Sequence, residues 1–475
     1  MSTTAPAGES VAADVRAGEY GTKVIAVEPG GAEMVPPRDR HGSPVQLLWT
    51  WLSPNLEFAT VFLGVLAIQV GLTFGQAVAA IVLGSGLGAL SHGVLSARGP
   101  AFGVPQMVLS RIAFGWRGNI LPAGLNAVVA GIGWFAVNSV SGAFALNSLT
   151  DLPTGLCLLV VVVAQISIAF FGHNLVQAFE KYALPFLGLV FIAAVISTFA
   201  QADFGAAEGG GGLGSFLIIV GATFGYAAGW NPYAADYTRY LPETVSKVRT
   251  GVFAGLGVFI SCVVLQIAGA ASMTIAGGSS DNPTTAFTDH LGGFLGGLTL
   301  LAIALGAVSA NAINIYSGAL SFTALGFKLP LKAARAITAL GFGVIGLVLA
   351  WFGLDDAGHS YENFLLVISY WIGPFLGVYF ADWVLRRGHR VDGFLFDPKH
   401  DPFAGWVAMA VGIVVSVALF SNESFYVGVV PKAVPEIGDI TFFVGGLVAA
   451  GVYAVLFSIE RSRQPQDAVL VTAED

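Results

Sequence analysis

Stretches of about twenty residues without one charged side chain recur along the whole chain. Gly133 to Thr150 and Ser215 to Ala235 are two of them. A helix rising about 1.5 Å per residue crosses roughly 30 Å of hydrocarbon with that length. In lipid every backbone N–H and C=O must find a partner, and a helix supplies these within its own segment. The chain is 55% hydrophobic and only 11% charged, where a soluble domain is about a quarter charged. Its mean hydropathy is +0.76. The fold class this dictates is an all-α membrane protein.

Apolar windows number twelve, from Leu47–Val70 to Phe442–Phe457, and an even count puts both termini on one side. The basic residues decide which side, because Lys and Arg concentrate in cytoplasmic segments. With a cytoplasmic N-terminus, every Lys and Arg except Lys432 falls inside, from Arg16, Lys23, Arg38 and Arg40 to Arg461 and Arg463. The outer loops carry acids instead, among them Asp151, Asp203, Glu208, Asp281, Asp355, Asp356, Glu423 and Glu436. Residues 1–46 lack an apolar run and read as a disordered cytoplasmic tail rather than a cleaved signal peptide. Residues 461–475 read as a second tail. The expected location is the cell inner membrane, multi-pass. Cys157 and Cys262 both fall in apolar windows and read as packed side chains, not a disulfide.

Two windows are interrupted in a related way. The first begins Trp49-Thr-Trp51-Leu-Ser53-Pro54-Asn55-Leu-Glu57, and the sixth ends Gly229-Trp230-Asn231-Pro232-Tyr233. Both join Trp, Asn and Pro inside apolar sequence, five windows apart and in opposite orientations. Proline frees backbone groups, which at membrane depth must face a cavity, a ligand or other protein. Helices broken at matching places in two halves are a signature of transporters built from inverted repeats. A simple proline kink is the plainer account of either one alone. Gly221, Gly225 and Gly229 leave one face of the sixth window bare, which suits close helix packing and also close approach of a flat ligand.

Polar side chains at membrane depth gather in few places. The third window carries Trp134 and Asn138, four apart and on one face. In the eighth, Asn311, Asn314 and Ser317 share a face at three-residue spacing. With Trp230 these give indoles and carboxamides, with no Lys or Arg nearby. A planar neutral heterocycle suits that set, since aromatic faces stack on it and amides donate and accept in one plane. Ordinary interhelical hydrogen bonds and packing explain each residue singly. Glu57 is a carboxylate inside the first window; such acids are costly and often functional, so it is a candidate proton relay. Asp236 and Arg239, past the end of the sixth window, read as an ion pair or gate. Among the seven histidines only His92 falls within a window, so no metal or nucleophile cluster points to an enzyme.

On these residues the chain resembles the nucleobase:cation symporter-1 family, the purine/cytosine permeases. The segment Gly229-Trp230-Asn231-Pro232-Tyr233-Ala234-Ala235-Asp236-Tyr237-Thr238-Arg239-Tyr240-Leu241-Pro242 looks like that family's hallmark. Further matches are Gln106-Met-Val-Leu-Ser110-Arg111-Ile-Ala-Phe114-Gly115, Gly133-Trp134-Phe-Ala-Val-Asn138 and Asn311-Ala-Ile-Asn314-Ile-Tyr316-Ser317. The resemblance covers about Leu47 to Phe457. It implies a five-plus-five inverted-repeat fold of the leucine-transporter type plus two C-terminal helices. The repeats would occupy residues 47–200 and 201–390, and the added helices 391–460.

Carried over, the resemblance makes Trp134 and Trp230 the plates around a base. Asn138 and Asn314 would meet its polar edge, and Thr60 would add a hydroxyl. A sodium ion would sit between carbonyls around Asn55 and Phe58 and the region of Leu305 and Ser309. Val308-Ser309 supplies one hydroxyl where sodium-driven members tend to have two, so proton and sodium both stand as coupling ions. The expected activity is import of a purine- or cytosine-type base with a cation, by a monomer without a cofactor and without a nucleic-acid partner. Hydantoin, allantoin, thiamine and pyridoxine are alternative cargoes, and a channel is the alternative outside transport.

Overall fold

The computed structural model describes residues 31–171, 173–206, 209–275, 283–326, 331–354, 357–387, 389–423 and 425–463. Among them the chain is helical, with no β-strand. Seven helices are long and apolar enough to cross a bilayer, and a bent pair, Gln46–Asn55 with Phe58–Gln69, adds an eighth. Thr154–Ile168, Pro185–Gln201, Leu340–Gly353 and Ala404–Phe420 are shorter apolar helices. Each falls in one of the windows read from the sequence. Arg16, Lys23, Glu208, Asp281, Lys328, Asp355 and Asp356 lie outside the described residues, as does most of each expected tail.

The helices that frame the site are α1 (Gln46–Leu52), α2 (Phe58–Gln69), α3 (Phe74–Ser96), α4 (Ile120–Val128), α5 (Phe135–Thr150), α6 (Leu213–Ala228), α7 (Lys247–Ser272), α8 (Gly292–Ala324), α9 (Ala357–Leu385) and α10 (Thr441–Arg463). Close backbone approach assembles them. A Cβ on Gly64 of α2 would overlap the Gln266 carbonyl of α7, and one on Gly269 of α7 would overlap the Val61 carbonyl of α2. Glycine on both sides lets these two backbones touch.

The first span breaks as expected. After α1 a 3-10 turn covers Ser53–Asn55, Glu57 is extended, and the axis turns by 62° into α2. The sixth is interrupted differently. Past α6 a 3-10 turn at Asn231–Tyr233 leads into a short helix, Ala234–Thr238, and Leu213–Thr238 continues as one span. Pro232 sits at the start of that turn, where a missing N–H is tolerated, so the hydrogen-bond pattern changes without a sharp bend. A third irregularity has no proline. Val129–Trp134 forms a π-helical turn between α4 and α5, a feature frequent at functional sites.

The described part of the expected disordered tail is packed instead. Val35 is buried and its N–H donates to the Gly103 carbonyl at 2.9 Å. Arg40, buried, donates to the carbonyls of Val35 and Pro100 and pairs with Glu243 at 3.0 Å. Arg239, fully buried, donates to the Gly31 carbonyl at 2.8 Å and to the hydroxyls of Tyr240 and Tyr316. A strap from Gly31 to His41 thus packs against the segment around Pro100 and Gly103 and the end of the sixth span. Composition disguised it, because two arginines with buried acceptors look the same in sequence as two solvated ones.

Candidate functional site

Proline and the 3-10 turn end α1, and the freed groups at the break are met by side chains. The Asn55 amide donates to the Trp51 carbonyl at 2.9 Å and to Ser261 Oγ at 3.0 Å. The Thr60 hydroxyl donates to the Asn55 carbonyl at 2.7 Å. Glu57 is the N-cap of α2: its carboxylate accepts from the N–H of Ala59 at 2.6 Å and of Thr60 at 3.2 Å. A carboxylate there answers both the unpaired amides and the helix dipole.

The sixth span reaches into this break at two points. The Tyr226 hydroxyl, from α6, donates to Glu57 Oε1 at 2.9 Å and contacts the Thr60 hydroxyl. Trp230 Nε1 donates to Asn55 Oδ1 at 2.9 Å. Behind Trp230, buried His92 of α3 meets the Trp230 carbonyl through Nδ1 at 3.1 Å and packs edge-on to Trp51.

Trp134, at the end of the π turn, joins the same cluster. Its ring lies edge-on to Tyr226 with centroids 5.3 Å apart, and to Phe364 at 5.1 Å. A Cβ on Gly229 would stand 3.5 Å from Trp134 Nε1, an ordinary contact distance. Gly225, one turn earlier, packs instead on the Leu365 carbonyl of α9. The bare glycine face is therefore mostly helix packing and opens to an aromatic only at its end.

One helical turn beyond Trp134, Asn138 faces α8. Its Nδ2 donates to Asn311 Oδ1 at 3.0 Å, and Asn314 Nδ2 donates to the same oxygen at 3.2 Å. All three amides are at most 2% exposed. α8 crosses the first break at Gly306, where a Cβ would overlap the Leu56 carbonyl and lie 3.0 Å from Glu57 Cβ. Leu305 and buried Ser309 flank Gly306 on α8. Phe58 itself stacks on Phe62 at 5.7 Å.

A cavity of about 380 Å³ is lined by Phe58, Phe62, Gly133, Val137, Tyr361 and Phe364 among others. Trp134, Asn138, Trp230 and Asn314 are not in its lining; Trp134 adjoins it through Phe364 and Tyr361. Tyr361 also donates to the Ala59 carbonyl at 2.8 Å. Sequence reasoning overlooked Tyr226, Tyr361 and Phe364, because aromatic side chains are common in membrane helices and nothing local sets these three apart. Asp236, expected to pair or gate, accepts the Gln106 N–H at 2.9 Å. Cys157 and Cys262 are buried and free. Among the described residues no three of His, Cys, Asp and Glu are grouped to hold a metal.

Similarity to known proteins extends over most of the chain. The family profile for permeases for cytosine/purines, uracil, thiamine and allantoin matches residues 34–445. YxlA of Bacillus subtilis is 30% identical over 91% of this chain and 96% of its own. The purine-cytosine permease fcyB of Emericella nidulans is 30% identical over 92% of this chain and 89% of its own. Among solved structures, Mhp1, a nucleobase-cation-symport-1 family transporter in a closed conformation with bromovinylhydantoin bound, superposes with a TM-score of 0.73. That match has 20% identity and covers 92% of this chain and 97% of Mhp1. With a profile spanning most of its length and relatives matched nearly end to end, the chain belongs to the family of permeases for cytosine/purines, uracil, thiamine and allantoin.

Proposed function

We propose that this protein is a secondary transporter that imports a purine- or cytosine-type nucleobase by symport with a cation, a proton or sodium. Twelve spans would form two inverted repeats of five with two added helices, in the cell inner membrane with cytoplasmic termini. The protein would act as a monomer and need no cofactor. The observation that carries the reading is the gathering of indoles and carboxamides around the bent break of the first span and the 3-10 turn of the sixth, with no Lys or Arg among them. The purine-cytosine permease relatives favour the same cargo.

In this reading Trp134 and Trp230 bracket the base, and Asn138 and Asn314 meet its polar edge. Thr60 acts from the break, where its hydroxyl also holds the Asn55 carbonyl. The cation would bind where α8 crosses the break, among Asn55, Phe58, Leu305 and Ser309, or ride as a proton on Glu57. Base and cation then favour one another because both organise the same break, which is coupling in the thermodynamic sense. Uptake of radiolabelled adenine, cytosine and hypoxanthine by a permease-deficient host, with surface expression verified, tests the cargo. No uptake of any base would remove it. Repeating the assay with sodium replaced, and with the proton gradient collapsed, distinguishes the two ions.

A further inference from the structure

Asn311 is fully buried on α8, and its side chain makes more hydrogen bonds than that of either amide assigned to the base. Its Nδ2 donates to the Phe135 carbonyl at 2.9 Å. A peptide carbonyl only accepts, so this contact fixes which end of the Asn311 amide is nitrogen. The other end, Oδ1, must then face the amides of Asn138 and Asn314. An oxygen is met only by N–H, so both neighbours are turned with Nδ2 toward it, at 3.0 and 3.2 Å. Their own Oδ1 atoms point elsewhere, buried and without a hydrogen bond. Ser317 Oγ, one turn on from Asn314, is buried and unpartnered as well.

We infer that Asn311 is a positioning residue that sets the hydrogen-bonding polarity of the site, leaving the carbonyl oxygens of Asn138 and Asn314 to be met by N–H groups of the ligand. This rests on the reading that those two amides face the base. Each retains at most one N–H, whereas its oxygen is wholly free, so acceptors are in surplus. The matching ligand is a planar heterocycle rich in N–H donors, such as an exocyclic amine beside a ring nitrogen. A ring lacking the amine leaves a buried acceptor unpaired. Sites built to hydrogen-bond a substrate group discriminate most strongly against the analogue that lacks it.

The test is competition binding to the purified full-length protein. The probe pairs are adenine against purine, and cytosine against 2-hydroxypyrimidine; each pair differs by one amino group. For the wild-type protein, losing the amine should weaken binding by about tenfold or more. In Asn311→Ala the two flanking amides are free to turn, and the difference should shrink to about threefold or less. Asn311→Asp keeps an oxygen toward both Nδ2 groups, so it should retain wild-type discrimination at lower overall affinity. Equal binding of both members of each pair by the wild type overturns the inference. So does undiminished discrimination in Asn311→Ala. Should Asn311→Ala not fold, the wild-type panel and Asn311→Asp decide, with lost discrimination in the latter counting against the inference. A folded wild-type protein that binds no base at all overturns both this inference and the proposed cargo.

Discussion

The Trp230 indole, from the sixth span, donates its N–H to the side chain of Asn55 in the break of the first, at 2.9 Å. Asn55 also holds Trp51 and Ser261, so one amide ties the two interrupted helices to α7. Replacing it with alanine strands the buried Trp230 N–H. Asn55→Ala should lower the unfolding free energy by about 1–3 kcal/mol and reduce uptake. Thermal unfolding in detergent beside an uptake assay would check both.

The amides of Asn138 and Asn314 carry the polar edge of the proposed site. Asn314→Ala should abolish base uptake while the protein still reaches the membrane. Normal transport by a surface-expressed Asn314→Ala protein would remove that residue from the site.

Glu57 answers two backbone amides and the Tyr226 hydroxyl at the start of α2. Glu57→Ala leaves those donors buried and unpaired, at a cost of roughly 2 kcal/mol or more. Glu57→Gln keeps an acceptor for the cap and should fold, so it isolates the coupling question. If Glu57 carries the proton, uptake by the Gln variant becomes insensitive to the proton gradient. A retained response assigns coupling elsewhere.

Gly306 sets how closely α8 approaches the break. A Cβ there meets the Leu56 carbonyl, which is backbone and has nowhere to move. Gly306→Ala should destabilise the protein by about 1–3 kcal/mol and impair transport. Wild-type melting and uptake would contradict the crossing geometry.

Glu423 lies in the loop beyond Phe420 and is 2% exposed. Burial above all, and then the nearby Asp439 carboxylate, push it from 4.5 up to about 8. Between those values the folded protein holds a proton that the unfolded chain has released. Stability should therefore fall as pH rises through that window, by at most about 1.4 kcal/mol per pH unit, and level off above it. Glu423→Gln should flatten melting temperature against pH over the same range.

Much of this architecture is legible in the sequence because lipid leaves the backbone so few options. Charge-free windows located the helices, and Pro54 beside Asn55 marked the bent break. Trp134, Asn138, Trp230 and Asn314 stood out as polar or bulky groups where apolar ones are the rule. The rest depends on contacts between distant segments. The π turn ending at Trp134 holds Gly131 and Gly133 packed against the rings of Phe342 and Phe364, contacts that no local pattern encodes. Tyr226 looked like any mid-span tyrosine until its hydroxyl was seen on Glu57. The sixth span kept its direction although Pro232 promised a bend, because proline opens a 3-10 turn there rather than interrupting an α-helix.

The strap from Gly31 to His41 bears on how the molecule is handled as a machine. Arg239 grips its beginning from the end of the sixth span, and Arg40 anchors its end to the Pro100 carbonyl and Glu243. Both anchorages lie at one corner of the helical body, since Glu243 follows Arg239 by four residues and a Cβ on Gly99, next to Pro100, would overlap Thr238. Packed polypeptide is thus present ahead of the first hydrophobic helix, and a truncation that removed Gly31 to Arg40 would take the Gly31 carbonyl from buried Arg239.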